Sequence, residues 1–315
     1  MGFDAQLASR ESALAPLVPY LAVRRLAAQP AALEKLLWSR LREFGSQPHH
    51  HAVQLGAAAT SVWFLYADLP WDSQFFGLRM ARLHAVLFDA GLPPASLTAA
   101  VEEFNRLLTT NQIEHCYCEV AAKDPQLLFA MGQAQWSVVE SRLQYYQDNL
   151  SQLAGPRHPV RAARADEAEL LRQVSAHNKN LFDRFHADPI FSVEQADAFL
   201  GEYAAASTRG FCDVVLVPEN TVVDSFLAVS YLDEDAQLLK TKLGRVVLTA
   251  VGPQNRGWHR NLVFETLWHT RERGGEVVLM TTQATNGAVI HNAQQLGFRL
   301  GELTHILSYQ PTAPE

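Results

Sequence analysis

Residues 244 to 298 constrain this chain more than any other stretch, because their order leaves few folds open: GRVVLTAVGPQNRGWHRNLVFETLWHTRERGGEVVLMTTQATNGAVIHNAQQLGF. Val246, Val247, Leu248 and Val251 form an apolar, β-branched run closed by Gly252-Pro253, which predicts a largely buried strand ending at a breaker. Gly257 opens a segment in which Phe264, Leu267 and Trp268 fall at i, i+3 and i+4, one helical face, and Gly274-Gly275 stops it. A second strand at Val277 to Thr281, Asn286 and another helix ending at Gly297 follow. A strand that feeds a helix through a tight polar turn aims unpaired N–H groups and the positive end of the helix dipole in one direction. Such a corner binds phosphate.

The rest of the composition leaves room for that reading and removes others. With 315 residues, two domains are expected, and 48% hydrophobic against 19% charged residues describe a chain able to bury a sizeable core. A net charge of -7 with no Lys/Arg stripe speaks against nucleic acid as a partner. Cys116-x-Cys118 and Cys212 have no metal-ligand spacing, so no metal is expected, and reduced thiols in the cytoplasm are. Pro16, Pro19 and Arg24-Arg25 break the apolar words near the N-terminus, which argues against a membrane span.

The turn Gln254-Asn255-Arg256-Gly257, followed by Thr282-Gln283, Asn286 and Leu296-Gly297-Phe298, resembles the acetyl-CoA core of the GNAT acyltransferases. Within them it is closest to the TDP-fucosamine acetyltransferases and related enzymes of amino-sugar nucleotides. The resemblance implies a mixed α/β sheet. It also implies that acetyl-CoA, or another acyl-CoA, lies along Leu248, Thr249 and Val251, with its pyrophosphate on Gln254, Asn255, Arg256, Gly257, Trp258, His259, Arg260 and Asn261, and with Asn286 nearby. Three positions depart from the family: His259 and Asn261 stand where small residues, mostly Gly, are usual, and Ala293 stands where a Tyr usually protonates the leaving thiolate. His259 has two roles open to it, crowding the turn or adding charge beside Arg256 and Arg260.

Other segments point the same way. Residues 1 to 60 read as mostly helical, with Leu33, Leu36, Leu37 and Leu41 at helical intervals, and His49-His50-His51 as a loop. TSVWFLYA at 60 to 67 reads as a strand, and the words WDSQFFG and LRMARLHA after it resemble the N-terminal half of the amino-sugar acetyltransferases. Residues 95 to 150 predict helix, strand, helix, strand. Met131-Gly132 through Tyr145-Tyr146-Gln147 matches Leu296-Gly297-Phe298 through Ser308-Tyr309-Gln310 in order and span, which predicts two tandem GNAT-like units, the first degenerate. The expected boundaries are 1–152 and 160–315, joined by QLAGPRHP, with Asp166 capping the first helix of the second unit. The acidic run Asp233-Glu234-Asp235 reads as a solvated turn.

Asn180 to Pro189 resembles the family's Arg-Phe-His-x-Asp-Pro motif, which implies acceptor contact by Arg184, Phe185, His186 and Asp188, with His186 and Asp188 as candidates for proton transfer. An Arg, a His and a carboxylate within five residues can grip a phosphate and manage a proton, or can form one local ion pair at an Asp-Pro turn. The expected activity is N-acetylation of a primary amine, an amino-sugar nucleotide first, with a homodimer left open. Two rivals stand beside it: a non-catalytic protein that binds CoA or a nucleotide sugar, and an acyltransferase that tailors a natural-product amine. A CoA thiolate has a pKa near that of Cys and can leave unprotonated, so Ala293 does not exclude catalysis.

Overall fold

The structure is a computed structural model that describes residues 2–29, 32, 34–57, 60–178 and 181–311. It divides into two compact units, 1–141 with 303–315, and 142–302. The expected boundary at 152–160 therefore moves. The last strand of the chain belongs to the first unit, and the end of the strand before the expected linker belongs to the second. Self-similarity along a sequence reports the repeat but not which unit each final strand completes.

In the first unit, β1 (His50–Leu55), β2 (Val62–Asp68), β3 (Met80–Leu87), β4 (His115–Ala121) and the end of β11 (Arg299–Tyr309) lie in that order. β3 and β4 are parallel, and Thr304 to Tyr309 runs antiparallel to β4. Helix α1 is Phe3–Ser9, α2 is Pro70–Phe76, α3 is Pro94–Thr110 and α4 is Pro125–Gln133. In α3, Leu97, Val101, Phe104 and Leu108 are fully buried along one stripe, and the Phe104 ring stacks on Phe64 of β2 with centroids 4.5 Å apart. Each such side chain contributes about 2 kcal/mol through area removed from water. Leu33 lies outside the described residues, whereas Leu36, Leu37 and Leu41 are buried in a helical stretch from Glu34 to Arg42. His50 and His51 open β1 instead of forming a loop, and the His51 Nε2 lies 3.1 Å from the Asp68 carboxylate.

In the second unit the strand order is the end of β5 (Ser137–Gln147), β10 (Val277–Gln283), β9 (Leu243–Val251), β8 (Ser225–Tyr231), β7 (Val214–Pro218) and β6 (Val160–Ala162). Only β9 and β10 pair parallel; the other pairs are antiparallel. Helix α5 is Ala168–His177, α6 is Val193–Ala206, α7 is Asp233–Leu239, α8 is Trp258–Glu272 and α9 is Gly287–Gln295. One apolar cluster joins Val246, Val278 and Met280 to α8 through Leu262, Val263 and Leu267, and another joins Phe226, Ala228 and Ala250 to Leu171 and Val174 of α5. Asp233, Glu234 and Asp235 form the first turn of α7 instead of a loop turn, with Asp233 and Glu234 exposed as expected, and carboxylates there complement the helix dipole. Asp166 does not cap: Glu167 accepts from the Arg164 N–H at 2.7 Å and from Arg161, which holds its carboxyl down at about 2.

Candidate functional site

β9 and β10 stay in register from Leu243/Val277 to Val246/Met280 and then part, β9 continuing along β8 and β10 along β5. At the parting point the β8 register skips Val247, since Val229 faces Val246 and Ala228 faces Leu248. A bulge of this kind bends its strand and re-aims backbone groups. The result is a slot between two strand edges that no longer bond each other, and it opens toward the turn that follows β9. Val251 is partly exposed beside it, Leu248 packs on the cluster with Leu171 and Val174, and the Thr249 hydroxyl is engaged with the Phe226 carbonyl at 2.9 Å.

The turn itself is held from one side. The carbonyl of Asp224 accepts from the Gly252 N–H at 2.6 Å and its carboxylate from the Gln254 N–H at 2.8 Å. Asn255, expected to face a cofactor, is 1% exposed and bonds back to Asp224 and Ser225. Gly257 takes φ 92° and stands at the N-cap of α8 with no side chain over the helix end. The first N–H groups of a helix have no partner within it, so those of Trp258, His259 and Arg260 are left for a ligand, beside the exposed Arg256 and Arg260. This arrangement fits a pyrophosphate.

His259 brings no charge to it. Its Nδ1 accepts from the Asn292 amide at 3.0 Å, its Nε2 is buried without a partner, and burial pushes its pKa down to about 4. Trp258 packs against the core beneath α8, which leaves only its backbone to the turn. Asn261 is partly buried in the first turn of α8. Asn286 caps α9, its side chain accepting from Val289 at 3.2 Å. Ala293 is fully buried in the cluster with Leu262 and Met280 and offers no proton.

The segment from Asp183 to Asp188 is tied together by its own side chains. Asp183 caps the short helix Arg184–Ala187 by accepting from the Phe185 and His186 N–H groups, and it also meets His186 Nδ1 at 2.6 Å. His186 Nε2 meets Asp197 of α6 at 3.0 Å, and the ring is 1% exposed. With both nitrogens engaged, neither is left to take a proton from an amine. The Arg184 guanidinium lies 3.9 Å over the Phe185 ring, Phe185 packs on Phe199, and Asp188 is 2% exposed with its carboxylate toward the Ile190 N–H. Asn180 lies outside the described residues. Asp183, Asp197 and Asp224 were not singled out in the sequence. The i, i+3 spacing of Asp183 and His186 was a usable signal, whereas Asp224 carried none.

The first unit repeats the slot and closes it. β3 and β4 pair from Met80/His115 to Leu83/Cys118 and then part, with His84 skipped in the β2 register. Ala13, Leu14 and Leu17 line what remains, a cavity of about 10 Å³, room for about one water. Arg10 holds this strap by an ion pair with Asp124, both under 7% exposed, and lies 3.9 Å over the Phe88 ring. At the turn before α3, Ser9 accepts from the Ala90 N–H and Asp89 from the Gly91 N–H, both at 2.8 Å, and Pro93 and Pro94, which lack N–H groups, begin the helix. This turn therefore presents fewer free N–H groups than the one before α8.

No family model matches the chain, and no curated protein matches its sequence. Solved structures do. A GCN5-related N-acetyltransferase from Sphaerobacter thermophilus aligns at TM-score 0.57 and 13% identity over 94% of this chain and 93% of its own. A functionally unknown conserved protein from Staphylococcus epidermidis ATCC 12228 aligns at 0.53 and 11% identity over 82% of this chain and 94% of its own. The GCN5-related glucosamine N-acetyltransferase region of a fungal multi-domain GH3 β-N-acetylglucosaminidase aligns at 0.52 and 11% identity over 79% of this chain and 31% of that one. The chain thus has the mixed α/β fold of the GCN5-related N-acetyltransferases, built as two units.

Proposed function

We propose that this protein is an acyl-CoA-dependent N-acyltransferase that works from its second unit. The observation that carries the proposal is the slot between β9 and β10 leading to the uncapped N-terminus of α8, with Gly257 at its mouth. Acetyl-CoA, when bound, supplies the acetyl group as a thioester. The N–H groups of residues 258 to 260 would hold the pyrophosphate, with Arg256 and Arg260 adding charge, and the free edge of β9 at Thr249 and Val251 would pair with the amides of the extended arm. Backbone N–H groups at the bulge around Val247 would polarise the reacting carbonyl.

Proton handling follows from what the side chains are doing. His186 is committed to Asp183 and Asp197, so its part is to fix the acceptor-side segment, with Arg184 and Asp188 shaping the same wall. The acceptor then enters as the free amine or loses its proton to water. Ala293 leaves the thiolate to depart unprotonated, at a cost that a pKa near 8.5 keeps tolerable at neutral pH. The acceptor proposed is a primary amine on an amino sugar or its nucleotide, a reading supported by the sequence likeness at Arg184 to Pro189 and by the glucosamine-acetylating fungal neighbour. The three free, buried cysteines fit a reducing, cytoplasmic setting, and a homodimer stays part of the proposal. A second reading, cofactor binding without turnover, is favoured by Ala293 alone.

Calorimetric titration with acetyl-CoA, followed by thiol release over a panel of amino sugars, amino acids and polyamines, tests both. Binding with turnover on an amino sugar is expected. Binding without turnover on any amine would select the second reading, and no binding would end both.

A further inference from the structure

The hairpin between β7 and β8 reaches the cofactor turn through one clasp. Asp224 carries two of the contacts, its carbonyl oxygen accepting from Gly252 N–H at 2.6 Å and its carboxylate from Gln254 N–H at 2.8 Å. Asn255 returns the grip: its Oδ1 accepts from Asp224 N–H at 3.1 Å and from the Ser225 hydroxyl at 2.9 Å, and its Nδ2 reaches the Thr221 hydroxyl at 3.5 Å. Asn255 is 1% exposed and Ser225 fully buried, so the bond between them is made away from water, whereas Asp224 meets Gln254 at the surface. Fit is close: a Cβ on Gly252 would stand 2.1 Å from the Asp224 carboxylate. The Gly252–Asp224 bond continues the β8–β9 ladder one step past Ser225/Val251, and the side-chain bonds lie beyond that ladder. All of them fix where the turn stands, three residues before α8 begins.

We propose that Asp224 and Asn255 are positioning residues for pyrophosphate binding, setting the turn so that the N–H groups of residues 258 to 260 face the ligand before it arrives. This rests on the reading of the second unit as a CoA site. Preorganised donors bind more tightly than donors that must be ordered on binding. Asp224 works here through its acceptor oxygen and not its charge, because the atom it serves is a backbone amide and the ligand is itself an anion. Asp224→Asn keeps an acceptor oxygen at the same reach and removes a negative charge next to the phosphates. Asp224→Ala removes the acceptor and leaves Gln254 N–H without its partner.

The test titrates wild type, Asp224→Ala and Asp224→Asn with CoA and with pantetheine, which has no pyrophosphate, and records the melting temperature of each. Asp224→Ala is expected to weaken CoA binding roughly tenfold, Asp224→Asn to match or exceed wild type, and pantetheine binding to stay level in all three. Equal CoA binding by wild type and Asp224→Ala would overturn the positioning role. So would a parallel loss of pantetheine binding, which would mean general damage to the slot. Should Asp224→Ala not fold, Asn255→Ser is compared with wild type by the same two ligands, with the same expected split. Wild type that binds neither ligand would overturn the CoA reading itself, a result distinct from equal binding of CoA by all proteins.

Discussion

Two histidines, one marked by the sequence and one not, take charge states that their surroundings decide. His259 is held neutral by burial, with a pKa of about 4, and His84, skipped in the β2 register of the first unit and facing Phe44, is pushed down to about 3 by burial and by Arg82. In the unfolded chain both titrate near 6.5. Between that value and their folded values the unfolded state binds more protons, so stability is full above pH 6.5 and falls as pH drops toward 3 or 4. Urea unfolding at pH 7 and pH 5 is expected to show the loss, and His84→Phe to reduce it by about 1–2 kcal/mol. His259→Ala is expected to leave CoA affinity within about twofold, because a neutral ring adds no charge to the turn. Calorimetry at two salt concentrations checks this, and a several-fold loss would assign His259 to the ligand. Ala293→Tyr is expected to destabilise by about 1–3 kcal/mol without raising turnover, since position 293 is fully buried. The departures at 259 and 293 were legible in the sequence. Their environments were not, since Asn292 and the packing of α9 decide them.

At the scale of elements, the strand, turn and helix of residues 244 to 283 are where the periodicity puts them, because apolar runs closed by glycine leave little choice. The clasp at Asp224 was not legible, since its partners lie about 30 residues apart and meet only through the β8–β9 register. The motif from Arg184 to Asp188 was legible as a motif, but its contacts were not: the i, i+3 pair Asp183 and His186 closes on itself, and Asp197 takes the other nitrogen. Two glycines separate space from backbone conformation. Gly252→Ala puts a methyl into the Asp224 carboxylate, and loss of CoA binding with a lowered melting temperature is expected. Gly257→Ala meets nothing within 4 Å, but φ 92° costs a side chain about 1–2 kcal/mol. A melting temperature lowered by a few degrees, with CoA affinity reduced less than in Gly252→Ala, separates the two.

For the whole molecule, the repeat was legible and the exchange of final strands was not, because β5 and β11 read alike. A fragment of residues 1–152 lacks the strand that supplies Ile306 and Leu307, both under 2% exposed, to the first unit. Residues 160–315 lack the strand that pairs with β10 from Val278 to Gln283. Circular dichroism is expected to show neither fragment folded alone and both folded on co-expression; a stable 160–315 fragment would refute this. Arg10→Ala, which leaves Asp124 buried and unpaired, is expected to cost about 3–5 kcal/mol, read as lost hydrogen-exchange protection in β3 and β4. Both ends of the chain therefore belong to the first unit, the strap at residues 10 to 17 and the strand at residues 304 to 309, while the second unit is a closed excursion between residues 142 and 302. A pull applied at residues 10 and 309 would carry the load through the first unit's strands and leave the second unit slack.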